Sequence, residues 1–147
     1  MDNYINNQID IINQKIKEMN ALYHIAAGKS GIADGEVCIW SALLNSDEKY
    51  TQQDLCEMFS LSKQTVNSLI SGMVKKGFVL LEHMPGTRNR KMIRLSDEGI
   101  AYGKSRVMWI FEAEQKAMEE TEPQEVQACI SMLEKYIANL KREFSDE

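Results

Sequence analysis

Five uncharged polar side chains, Gln64, Thr65, Asn67, Ser68 and Ser71, lie on one side of a short stripe formed by Val66, Leu69, Ile70 and Met73. The stripe follows the three- and four-residue steps of a helix, so the polar groups occupy the opposite face. Amides and hydroxyls both donate and accept hydrogen bonds, the chemistry needed to probe base edges in a major groove. Lys75 and Lys76 come next, and Gly77 supplies a helix stop. Upstream, Thr51 with Asp54 three residues on supplies an N-cap hydroxyl and a first-turn carboxylate, opening a helix that ends near Phe59. Ser62 then starts the second helix. The stretch from Thr51 to Phe78 is therefore two short helices about a tight turn.

An ordinary amphipathic hairpin with a solvated outer face has the same pattern, and the residues beyond Gly77 separate the two readings. Phe78 to Glu82 is a branched and aromatic run that suits a strand, and Met92 to Leu95 is a second. Between them the turn MPGTRNRK holds Pro85 and Gly86 as punctuation, then Arg88, Arg90 and Lys91. Helix, turn, helix and a basic-tipped hairpin is the order of a winged helix. In that arrangement the second helix enters the major groove and the hairpin reaches the backbone or minor groove.

The formal net charge of −5 at first argues against a polyanionic partner. From Leu61 to Arg94, however, seven basic residues (Lys63, Lys75, Lys76, Arg88, Arg90, Lys91 and Arg94) face Glu82 alone, a net +6 that leaves −11 elsewhere. Charge is segregated along the chain, and the local field near phosphates drives association.

The elements that would position this head lie at the ends. Ile5, Ile9, Ile12, Ile16, Met19 and Tyr23 recur at four- and three-residue steps, as do Val126, Ile130, Leu133, Ile137, Leu140 and Phe144. Both stripes are seams for helix packing, either within one chain or between two. Thr121 with Gln124 forms a capping-box pattern for the last helix, with Pro123 in its first turn. Ser96 caps a long helix expected to run through Val107, Ile110, Phe111 and Met118. A two-fold dimer places two reading helices on half-sites about one helical turn apart, which gives long striped helices a purpose.

The 147 residues, 44% of them hydrophobic, suit one domain with a single core. No run approaches a membrane span, and MDNYINNQ lacks the basic and apolar regions of a signal peptide, so a cytoplasmic protein is expected. Cys38, Cys56 and Cys129 are far apart, have no CxxC spacing and sit in apolar helical patterns. They read as small core residues, with a single redox-active thiol as the alternative. His24 and His83 are remote from one another and complete no metal cluster. With no nucleophile–base pair, no phosphate-binding glycine loop and no distinctive acid pair, the sequence reads as a non-enzyme without cofactor or metal.

At the level of whole-chain arrangement, the sequence resembles the MarR (multiple antibiotic resistance regulator) family of winged-helix transcriptional regulators. The resemblance is carried by TQQDLCEMFSLSKQTVNSLISGMVKKGFV, the wing and the LSDEG directly behind it, together with a helix over Asp34 to Asn45. It implies a mainly α fold with a small β-hairpin wing: a winged helix-turn-helix over 33–95, and helical dimerisation regions at 1–28 and 96–147. It further implies a homodimer on a palindromic operator, usually repressing nearby genes until a small aromatic or phenolic ligand binds between the dimer helices and the reading head.

Carried over by position, the resemblance places Ser62, Lys63, Gln64, Thr65, Asn67 and Ser68 at the major groove and Arg88 at the wing tip. Lys75, Arg90 and Lys91 add charge beside them, and Thr51 and Gln52 fall near phosphates at a helix N-terminus. Ile5, Ile9, Ile12, Ile16, Leu133, Ile137, Leu140 and Phe144 become dimer residues. Tyr23, His24, Trp40, Trp109 and Phe111 are candidate linings of a ligand cleft, with plain core packing as their alternative. The chain departs from the family at the wing, where Gly86, Thr87, Arg88 and Asn89 replace an aspartate-x-arginine-aspartate pattern. Asn89 is then a neutral and weaker acceptor for the wing arginine. Ser68 and Gly72 also stand where relatives often carry arginine. A winged helix used as a protein-interaction module remains the second reading.

Overall fold

The computed structural model describes residues 2–145. In chain order the elements are α1 (Asn3–Ser30), α2 (Asp34–Asn45), β1 (Tyr50–Thr51), α3 (Gln52–Phe59), α4 (Lys63–Lys75), β2 (Val79–His83), β3 (Lys91–Leu95), α5 (Asp97–Arg106), α6 (Met108–Glu119) and α7 (Pro123–Ser145). The architecture is mainly helical, with one small antiparallel sheet of order β1-β3-β2. Contacts divide the chain after Ile110 into two compact units.

In the first unit the apolar faces of α3 and α4 meet the sheet, and α2 packs on α3, α4 and α5. Trp40, Ile39, Leu55, Val66, Ile70 and Val79 are at most 1% exposed, and each such burial contributes about 1.5–3 kcal/mol. Trp40, Phe78 and Tyr102 pack ring against ring at centroid distances of 4.2–6.0 Å. The Trp40 indole N–H donates to Glu36 at 3.0 Å, so the buried ring leaves no orphan donor.

Local chemistry sets the boundaries of the reading unit. Thr51 and Asp54 form the full capping box at the start of α3. Ser60, in the left-handed region at φ 52, makes the turn, and Ser62 caps α4. At its far end Gly77 has φ 78. There the Phe78 N–H donates to Met73 and the Gly77 N–H to Val74, so two otherwise unpaired carbonyls are satisfied.

The LSDEG segment has a packing explanation. Ser96 Oγ accepts from the Gly99 N–H and donates to the Gly77 carbonyl, while the Ser96 N–H donates to the Phe78 carbonyl. A Cβ on Gly99 would come within 2.0 Å of the Phe78 carbonyl oxygen, so only glycine allows this approach.

Three expectations need correction. The sheet has a third strand, β1, paired through Tyr50 with Ile93 and through Thr51 with Met92. The helix after the wing is not continuous: it breaks at Val107 (φ −120), which is fully buried. The Ile110 N–H there closes a three-residue turn onto the Val107 carbonyl. The last helix opens at Pro123, and the Glu122 carbonyl accepts from Val126, so Glu122 occupies the cap position one residue beyond Thr121.

In the second unit, α7 buries no residue fully. Its stripe is open at Ile130, Leu133, Ile137 and Phe144, the last 80% exposed, with Val126 and Leu140 half-buried. On α1, Ile5 and Ile16 are exposed, and Ile9 and Ile12 half-buried. Among the described residues no helix is long and apolar enough to cross a membrane.

Candidate nucleic-acid interface

Helix α4 presents the face its sequence indicated. Val66, Ile70 and Met73 are buried, and Gln64, Thr65, Asn67, Ser68 and Ser71 are exposed. Helical spacing sorts the outer residues into an outermost ridge of Gln64, Ser68, Ser71 and Lys75 and a flank carrying Lys63 and Asn67. Unlike α2, α3 and α5, α4 has no acidic residue in its first turn, and its first residue is Lys63. A cation at the positive end of a helix dipole is locally unfavourable and makes that end attractive to an anion.

Beside this flank runs a groove of about 580 Å³. Gln52, Gln53, Cys56 and Glu57 form the α3 wall, Lys63 and Asn67 the α4 wall, and Asn89, Arg90 and Lys91 the wing wall, with Leu81 on β2 and Thr51 completing it. Six sequence-indicated residues therefore converge here: Thr51, Gln52, Lys63, Asn67, Arg90 and Lys91. Gln64, Ser68 and Lys75 stand outside on the ridge.

Three of the candidates, Thr51, Ser62 and Thr65, have their hydrogen-bonding groups partly engaged. Thr51 is 7% exposed, its hydroxyl accepting from the Asp54 N–H and its own N–H donating to the Asp54 carboxylate. It fixes the start of α3 rather than offering a donor outward. Ser62 accepts from the Thr65 N–H and donates to the Thr65 hydroxyl at 2.8 Å. These bonds hold the start of α4 and aim its next turn.

At the wing, Thr87 anchors the backbone of the turn. Its Oγ1 donates to the Met84 carbonyl at 2.9 Å, its N–H donates to the same carbonyl, and the Met84 N–H donates to the Arg90 carbonyl. Gly86 makes the turn at φ 80. Among the described residues Arg88, Arg90 and Lys91 have no ion-pair partner, which leaves their charge for an external anion. Arg94 differs: its Nε lies 2.6 Å from Glu82, which also has Lys49 at 3.8 Å. The segment's +6 therefore overstates the charge available, because Arg94 is paired on the sheet face away from the groove.

The aromatic candidates separate. Trp40 is 0% exposed and belongs to the core, so it cannot line an open cleft. Phe111 is 7% exposed. Trp109 is 40% exposed and its indole N–H donates to Ser30 at 2.9 Å, near the end of α1 that carries Tyr23 and His24. His24 Nδ1 meets both Asp34 oxygens at 2.9 and 3.0 Å, leaving Nε2 outward. Among the described residues no group of three or more His, Cys, Asp or Glu side chains is placed to hold a metal ion.

Neither a protein-family model nor a curated protein sequence matches the chain. Solved structures do. A MarR family regulator from Neisseria meningitidis superposes with a TM-score of 0.81 at 17% identity, over 95% of this chain and 97% of that one. The chain has the MarR winged-helix fold. A MarR family transcriptional regulator from Listeria monocytogenes, complexed with a 26mer DNA, matches at 0.70 with 12% identity, over 92% and 89%. BpsR of Bordetella bronchiseptica, whose DNA binding is regulated by 6-hydroxynicotinic acid, matches at 0.65 with 16% identity, over 88% and 98%.

Proposed function

We propose that this chain is a sequence-specific DNA-binding transcriptional regulator, a MarR-type homodimeric repressor acting on a palindromic operator inside the cell. The observation that carries the proposal is the groove in which Lys63 and Asn67 of α4 face Arg90 and Lys91 of the wing beside the α3 N-terminus. One duplex laid along α4 places base edges against Gln64, Asn67 and Ser68 and phosphates against the wing and Gln52. The open stripes of α1 and α7 support self-association. With 33–95 reading DNA and 1–28 and 96–147 assembling the dimer, the whole chain acts as one regulator.

A small aromatic acid is the proposed releasing effector, with His24 as its hydrogen-bonding partner and Tyr23 and Trp109 as further candidate contacts. The 6-hydroxynicotinic acid response of BpsR supports this class of ligand.

The test is retention on DNA as salt is raised, for the native chain and for Arg88→Ala with Arg90→Ala. The native chain binds DNA with affinity that falls steeply with salt. The double variant loses affinity for every sequence, and its log–log salt slope is shallower by about 2, roughly one for each phosphate that is no longer neutralised. Salt-independent retention, or equal slopes, would overturn the proposal and favour a protein-interaction module.

A further inference from the structure

The groove that should receive a polyanion contains one carboxylate, Glu57, among Lys63, Arg90 and Lys91. It is exposed, and among the described residues it forms no ion pair with any of those cations. Gln53, one turn earlier on the same wall of α3, donates its Nε2 to Glu57 Oε1 at 3.0 Å. That bond engages one oxygen and leaves the second without a protein hydrogen-bond partner among the described residues.

An ionised carboxylate only accepts hydrogen bonds. Phosphate oxygens, guanine O6 and N7, and thymine O4 are acceptors too, so Glu57 repels them. In the major groove only the exocyclic amino groups of cytosine and adenine offer it hydrogens, cytosine N4 being the usual carboxylate partner. Simple Coulomb attraction to DNA would be stronger without Glu57.

We infer that Glu57, held by Gln53, is a specificity-determining residue that admits a base carrying a major-groove amino group, cytosine first, and weakens binding to all other sequences. The inference rests on the DNA-reading function proposed above. In a correct complex the amino hydrogen satisfies the carboxylate; in an incorrect one the carboxylate faces acceptors and loses its water.

The experiment selects bound sequences from a random duplex pool with the full chain, then measures affinity for the selected operator and for random DNA. It compares the native protein, Glu57→Gln, which keeps shape and the link to Gln53, and Gln53→Ala, which frees the carboxylate. The native pool should show one position per half-site restricted to an amino-bearing base. Glu57→Gln should relax that position, raise affinity for random DNA, and reduce the operator-to-random ratio by about tenfold, the scale of one base contact. Gln53→Ala should move the ratio the same way by less. If Glu57→Gln changes both affinities by one factor, or neither, and leaves the base preferences intact, the inference is overturned. A native chain that enriches no sequence overturns the DNA-reading function itself, an outcome distinct from the other two.

Discussion

Helices α4 and α7 have the same amphipathic grammar and opposite fates. On α4 the apolar side is sealed, with Val66 and Ile70 at 0% exposure, while its amides and hydroxyls stand in solvent. On α7 the apolar side is open, with Ile130, Leu133 and Ile137 at 43%, 38% and 49%. Lone exposed apolar residues are ordinary, but a regular exposed stripe marks an interaction surface. The first helix is finished by its own chain; the second is finished by another copy in the dimer proposed here.

The largest effects should therefore be of different kinds. Ile70→Ala opens a cavity in the head and should lower unfolding stability by about 2–5 kcal/mol, whatever the protein concentration. Leu133→Asp with Ile137→Asp buries nothing new within one chain. It should instead reduce the mass in light scattering from dimer to monomer, and remove the concentration dependence of Tm that a dimer shows. A double variant that keeps the native mass but unfolds at lower temperature would place the α7 stripe in an intramolecular core and break the comparison.

Cysteine chemistry sharpens the same contrast on a smaller scale. Cys38 on α2 is half-buried, and burial pushes its thiol above the ordinary value of 9.0; a backbone hydrogen bond opposes this in part, and the neighbouring charge of Asp34 adds a smaller upward push. Cys129 on α7 is exposed. Alkylation followed by mass spectrometry near pH 8 should modify Cys129 at least about tenfold faster than Cys38, because the thiolate is the reactive form and Cys38 is both shielded and held protonated. The folded chain also binds the Cys38 proton more tightly than the unfolded chain. That contribution to stability is complete below pH 9.0 and fades as pH rises through the raised value. Rapid modification of Cys38 at pH 8 would show that the head is less sealed than its geometry states.

Sequence alone was enough for features that near neighbours along the chain decide. The caps at Thr51, Ser62 and Ser96, the Gly77 stop, the stripe of α4 and the two wing strands all depend on interactions a few residues apart. Features made by distant partners escaped. A strand as short as Tyr50–Thr51 exists only because Ile93 and Met92 pair with it. Periodicity runs unbroken through Val107, so the change of helix there leaves no mark in the pattern. Arg94 counts as a free cation until the fold brings Glu82 across to it. Trp40 suited a ligand cleft as well as a core by composition, and only its complete burial separates the two. The groove is the hardest case, since Glu57 and Gln53 lie outside the reading helix and carry no motif of their own.

The smallest expected effect probes how closely DNA approaches the sealed helix from its other flank. Gly72 lies mid-helix on the side shared with Thr65 and Lys76, away from the flank of Lys63 and Asn67, and a Cβ built there meets nothing within 4 Å. Gly72→Ala should raise stability by about 0.5–1 kcal/mol, the difference in helix propensity, seen as a higher denaturant midpoint at unchanged slope. If recognition runs through the outer ridge and the wing-side groove, operator affinity should stay within about twofold of native, since one methyl on an open flank displaces nothing. A more stable protein with about tenfold weaker operator binding would mean that backbone phosphates pass close over Gly72. The missing side chain would then be part of the interface, and the reading face of α4 would extend further round the helix than its polar residues mark.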